Sequence, residues 1–226
     1  MNNQLSKYED DKQHDLGGSI IDSALDPHVF RNIGALVDVM FNKKTPLSML
    51  RTVPALDVAT RVYDVGCSIH NDLFLKKIVG FLNGCGNLTE GEKVEFREQL
   101  ETDPDYRRRA GENILLILDR LDNFDKTELL GKVFAARVRG EIDEATFFRL
   151  ATAISNTSIT DLRTLGLSYE KIASYDPKAR RPFADSLDDA TSQALYAVGL
   201  VRADGYTETI FRHNKLGLSL IRLMKQ

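Results

Sequence analysis

Cysteine is scarce in this chain: Cys67 and Cys85 are the only two, and the spacing between them is not that of a metal-ligand pair. They read as two small buried apolar residues in a reducing cytoplasm. No stretch approaches the roughly 20 uninterrupted apolar residues a membrane span needs, and the opening "MNNQLSKYEDDKQHDLGG" lacks a signal-peptide pattern. Excess positive charge is also missing, since 30 Lys and Arg stand against 33 Asp and Glu for a net charge of −3. With a sequence pI of about 5.9, no global field draws the chain to nucleic acid or to an anionic membrane. These absences predict a cytoplasmic protein that does not engage a membrane.

The signatures of catalysis are absent too. The sequence contains no H-E-x-x-H, G-x-G-x-x-G, G-x-x-x-x-G-K-[ST] or G-x-S-x-G. "GFLNGCG" is glycine-rich but lacks the lysine of a phosphate cradle, and a helix end explains it. Glu90, Glu92, Glu95, Glu98 and Glu101 share one helix with Val94, Phe96 and Leu100, the pattern of a solvated face rather than a paired acid and base. His14, His28, His70 and His213 stand apart from one another. No catalytic, cofactor-binding or metal-ligating residue is therefore assigned, and the expectation is a protein that is not an enzyme.

What is present is helix. The 226 residues, 42% hydrophobic and 28% charged, suffice for one large or two small domains. Residues 1 to 18 are acidic, poor in apolar side chains and end in Gly17-Gly18, so they read as a mobile tail or a poorly anchored helix. "SIIDSALDPHVFRNIGALVDVMF" predicts helix restarted near Pro27, and the stretch punctuated by Pro46 and Pro54 predicts one or two more. Phe74, Ile78, Phe81, Leu82 and Cys85 recur with helical period, and Gly84 and Gly86 close that helix.

Later helix starts carry cap chemistry. Thr89 and Glu92 have capping-box spacing, Asp103 precedes Pro104, Asp125 stands with Glu128, and Asp143 opens "EATFFRLATAIS". Three stripes follow: Ile114, Ile117, Leu118 and Leu121; Leu130, Val133, Phe134 and Val138; Phe147, Leu150, Ala151 and Ile154. Short connections favour antiparallel neighbours. A short helix at "SITDLRTL" with Ser158 as cap precedes "YDPKARRPF", which reads as a linker.

The closing "GLVRADGYTETIFRHNKLGLSLIRLM" reads as a winged-helix ending. Asp204-Gly205 predicts a type I′ hairpin turn, and Asn214 caps a last helix buried through Leu216, Leu220, Leu223 and Met224. The fold class expected is mainly α: a helical bundle over 19–157 and a winged-helix-like unit with one β-hairpin over 158–226.

Two basic features remain. In "YRRRAG", Arg107, Arg108 and Arg109 point about 100° apart around a helix and cannot form one anion clamp, so pairing with Glu101, Asp103 or Glu112 is expected. In the terminal unit, Arg202, Arg212, His213 and Lys215 could hold phosphates, and with Tyr206 they are the interaction candidates. The helix before the hairpin, however, has no Lys or Arg between Pro182 and Val201 and carries Asp185, Asp188 and Asp189 at its start. Those carboxylates oppose a major-groove role.

The run "LFLKKIVGFL", "LTEGEKVEF", "GENILLILDRLDNFDKTELLGKVFAARVRGEIDEATFFRLATAI" and "LGLSLIRL" resembles a family of uncharacterised helical proteins of bacteria and prophages, over about residues 46 to 226. In architecture the chain also resembles the Abi-alpha abortive-infection family, which places a helical region before a winged-helix-like end. The resemblance implies a setting in phage conflict and transfers no catalytic residue. The reading favoured is a non-enzymatic protein–protein interaction or self-assembly protein, forming a homo-oligomer or binding a protein partner. A DNA-binding transcriptional regulator is the alternative.

Overall fold

The structure, a computed structural model, describes residues 15–42, 47–62, 69–173, 187–205 and 210–225. It is mainly α with one two-stranded antiparallel hairpin near the C-terminus. Two compact units divide between Gly131 and Lys132, inside a helix.

The first unit contains α1 (Leu16–Leu25), α2 (Pro27–Asn42), α3 (Leu47–Leu50), α4 (Pro54–Val62), α5 (Ile69–Gly84), α6 (Glu90–Glu101), α7 (Pro104–Arg120) and the start of α8 (Phe124–Val138). The break at Pro27 falls where its missing N–H and fixed φ predict. Local chemistry sets several starts. Thr89 and Glu92 close the capping box on α6, and the Asp103 carboxylate accepts Tyr106 N at 2.9 Å ahead of Pro104. For α8 the start differs from the Asp125 cap expected: the helix begins at Phe124, and Asn123 Oδ1 accepts Asp125 N at 2.8 Å.

The core of this unit gathers Ile20, Ile21, Leu56, Ile78, Phe81, Leu82, Ile114 and Leu118, all essentially inaccessible to water. Ser23 is buried among them, and its hydroxyl accepts Ala55 N at 2.9 Å, satisfying an N–H that the first turn of α4 leaves unpaired. Gly17 and Gly18, expected to end a tail, lie inside α1 and are buried; a Cβ on Gly111 of α7 would collide with the Gly17 carbonyl. The lack of side chains at Gly17 and Gly111 lets α1 and α7 cross at backbone contact. Residues 1–14, the rest of the expected tail, lie outside the described residues.

On α6 the expected apolar members do not all turn inward. Val94 is 47% exposed, whereas Lys93 is buried with its ammonium 4.3 Å from the centroid of the Phe30 ring. Each arginine of the basic run pairs with acid: Arg107 with Asp22, Arg108 with Glu112 at 3.2 Å, and Arg109 with Asp103 at 3.9 Å. Arg108 also reaches Asp105 at 4.0 Å, so the run is three arginines each held by its own acids.

The second unit contains the end of α8, α9 (Glu144–Asn156), α10 (Ile159–Ala173), α11 (Asp189–Ala197), β1 (Val201–Asp204), β2 (Ile210–His213) and α12 (Lys215–Met224). Phe134 meets Phe147 edge to face at 5.9 Å over a core of Leu150, Ile154, Leu162, Leu165, Leu195, Leu200 and Leu220. Ser158 caps α10 as expected, accepting Asp161 N at 3.0 Å, but that helix runs on to Ala173. The linker expected over 175–183 lies outside the described residues.

The hairpin register pairs Val201 with His213, Arg202 with Arg212, Ala203 with Phe211 and Asp204 with Ile210. Asp204 is itself a strand residue paired with Ile210, so the two-residue Asp204-Gly205 turn expected does not form; residues 206–209 lie outside the described residues. Gly205 has φ +120°, and no non-glycine described residue has positive φ, so Asp204 does not adopt the type I′ conformation.

Candidate functional site

The C-terminal unit arranges its candidate residues on a helix, a hairpin and a second helix. At the head of α11 the Asp188 carboxylate accepts Thr191 N at 2.9 Å and the Thr191 hydroxyl at 2.7 Å. These two bonds, the backbone one first, hold the Asp188 carboxyl below its ordinary pKa. Asp161 of α10 comes to the same place, with Oδ1 3.2 Å from the Thr191 hydroxyl. A single hydroxyl hydrogen serves one carboxylate at a time, and the shorter contact is to Asp188.

The acidic tip therefore consists of Asp188, the neighbouring Asp189 and Asp161, a residue that sequence reading did not place there. Asp185, the third acid expected, lies outside the described residues. Two carboxylates sharing one hydroxyl concentrate negative charge where a recognition helix would enter a groove. A phosphate backbone is repelled there.

The hairpin arginines are not free cations. Arg202 and Arg212 stand directly opposite each other, and the Asp204 carboxylate bridges them: Oδ2 lies 3.3 Å from Arg202 Nη2 and 3.3 Å from Arg212 Nε. Like charges on a register pair repel, and the shared carboxylate offsets that cost. The period of two along β1 puts Arg202 and Asp204 on one strand face, a signal that was present in the sequence. The guanidinium groups remain exposed enough to meet a partner.

Of the other candidates, His213 is partly enclosed, and burial lowers its pKa to about 4. It carries no positive charge near neutral pH and offers a phosphate none. Lys215 is exposed on the first turn of α12. Tyr206 lies outside the described residues. A residue not picked from the sequence, Tyr196 of α11, is 52% exposed and sets its ring 5.9 Å from Phe211 at an interplanar angle of 60°.

The hairpin base is built by Asn214. Its Oδ1 accepts Gly217 N at 2.8 Å, capping α12, and its Nδ2 donates to the Gly199 carbonyl at 2.7 Å. Gly217 has no alternative, since a Cβ there would collide with the Leu200 carbonyl oxygen.

Among the described residues, no group of three or more His, Cys, Asp and Glu side chains could hold a metal ion, and no helix is long and apolar enough to cross a membrane. The Cys85 thiol is buried, donates to the Gly131 carbonyl at 3.6 Å, and is pushed by burial above its ordinary pKa, which removes thiolate character. No family model matches the chain, and no curated protein or solved structure matches it.

Proposed function

We propose that this chain is a non-enzymatic interaction protein whose C-terminal unit contacts another protein or a second copy of the chain. The observation that carries the reading is the charge arrangement of α11 and the hairpin: carboxylates at the helix tip, and two arginines tied to one aspartate. Among the described residues, such a surface lacks the clustered cations that dominate nucleic-acid affinity. It does hold an exposed tyrosine packed on Phe211 and, on the hairpin, two exposed arginines, residue types enriched at the energetic centres of protein interfaces. The resemblance of the quoted segments to bacterial and prophage proteins, and of the architecture to Abi-alpha, supports a setting in phage defence or a mobile element.

Light scattering across a wide concentration range tests self-assembly. The reading expects mass to rise with concentration, and Tyr196→Ala to shift the rise to higher concentration. A DNA-binding regulator is the second reading, favoured by the helix–hairpin–helix order and by exposed Lys215. It requires tight duplex binding that collapses when Arg212 and Lys215 become alanine.

A further inference from the structure

We propose that a cleft within the C-terminal unit binds a small molecule with one negative charge and an apolar body. The cleft has a volume of about 480 Å³, inside the range of about 300 to 1,000 Å³ typical of small-molecule sites. One wall is α9, which contributes Phe148, Arg149, Thr152 and Asn156; the opposite wall includes Val198 and Leu216.

The chemistry of the two walls differs. Arg149, Thr152 and Asn156 are exposed and follow one another at three- and four-residue steps, so they share one face of α9 over about 10 Å. They present a guanidinium, a hydroxyl and an amide in a row. Phe148 packs edge to face on Phe147 at 5.0 Å, which fixes its ring as the apolar part of that wall. Opposite, Gly199 turns with φ +76° and its carbonyl is held by Asn214, whose side chain also starts the helix carrying Leu216. That wall is anchored at both ends.

Charge selects the ligand. Among the described residues lining the cleft, Arg149 is the ionisable one and none is a carboxylate. Asp143, an acid whose carboxylate lies within the field of Arg149 and of Arg137, is engaged by Thr146 N at 2.7 Å as the cap of α9. An anionic head meets a guanidinium that can bind it in fork geometry, while an alkyl or aryl body covers Phe148, Val198 and Leu216. A cationic head of the same size meets repulsion.

Three probes with one tail separate these contributions: octanoate, octanol and protonated octylamine, titrated into the full ¹⁵N-labelled chain and followed by amide chemical shifts. The proposal expects octanoate to shift amides in 149–156 and 197–199, to bind about tenfold more tightly than octanol, and to exceed octylamine by more. Arg149→Gln, at an exposed position, lowers octanoate to the level of octanol, and Thr152→Trp fills the cleft and weakens all three. The proposal is overturned if octanoate leaves those amides unmoved, if octylamine binds as tightly, or if either variant binds octanoate as the parent chain does.

Discussion

Asn214 holds the Gly199 carbonyl at 2.7 Å with the same side chain whose oxygen caps α12, so one residue ties the end of the α11 turn to the start of the last helix. Asn214→Ala removes the cap and strands a partly buried carbonyl. The expected loss is about 1–3 kcal/mol, a cap being worth about 1 and an unpaired carbonyl adding to it. Asn214→Asp keeps the cap but faces the Gly199 oxygen with a carboxylate, so it should recover only part of the loss. Urea unfolding of the two variants measures both; equal stability of Asn214→Ala and the parent chain contradicts the assignment.

The crossing of α1 and α7 depends on Gly111. Gly111→Ala drives a methyl group into the Gly17 carbonyl and should cost about 1–3 kcal/mol as the helices separate. Gly34, also helical, has nothing within 4 Å of a built Cβ, and Gly34→Ala should stabilise by about 1 kcal/mol through helix propensity. Opposite signs in paired melts support the close approach, and equal effects remove it.

Lys126 and Asp122 form an asymmetric pair, with Nζ 2.7 Å from Oδ1, the lysine 1% exposed and the aspartate 70%. Lys126→Met leaves a solvated carboxylate behind and should be close to neutral. Asp122→Ala leaves a buried ammonium without this partner and should cost about 1–3 kcal/mol. Asp122 has a pKa below its ordinary value, the hydrogen bond from Lys126 being the largest cause. Its stabilising contribution is therefore complete above the unfolded-state pKa and is lost as acid takes the pH down through the folded one. Asp122→Asn should flatten that acid limb in stability measured against pH.

His213 makes a separate pH prediction. Its folded pKa of about 4 lies below the ordinary value of 6.5, so the unfolded chain takes up a proton first as pH falls. Stability of the C-terminal unit should decline between those two values, and His213→Phe should lessen the decline. NMR titration of the imidazole gives the folded pKa directly. A midpoint near 6.5 contradicts the burial assigned to it.

Local chemistry was legible in the sequence, because a cap or a stripe is decided within one or two turns. Thr89 with Glu92, Asp103 with Pro104, and the Phe74 to Cys85 stripe all form as their spacing demands. What eluded the sequence depends on distant partners. Gly17-Gly18 resembled the end of a tail because the surface it fits, at Gly111, lies far along the chain. The burial of Lys93 has no local signal, because the ring beneath its ammonium belongs to α2. The acidic tip was half visible: Asp188 and Asp189 announce themselves, whereas Asp161 arrives only when α10 packs beside α11. The cleft on α9 was hidden for the same reason, as its polar face reads as an ordinary solvated stripe until Val198 and Leu216 stand opposite.

The central claim is that the C-terminal unit does not present a surface for a polyanion. Fluorescence anisotropy of a labelled mixed-sequence duplex, titrated with the full chain at low and at physiological salt, tests it most directly. The account predicts weak binding at low salt that vanishes at physiological salt, with little change in Asp204→Ala beyond a modest gain from the released arginines. Nanomolar binding at physiological salt, with a steep salt dependence and loss in the Arg212→Ala, Lys215→Ala double variant, would contradict it.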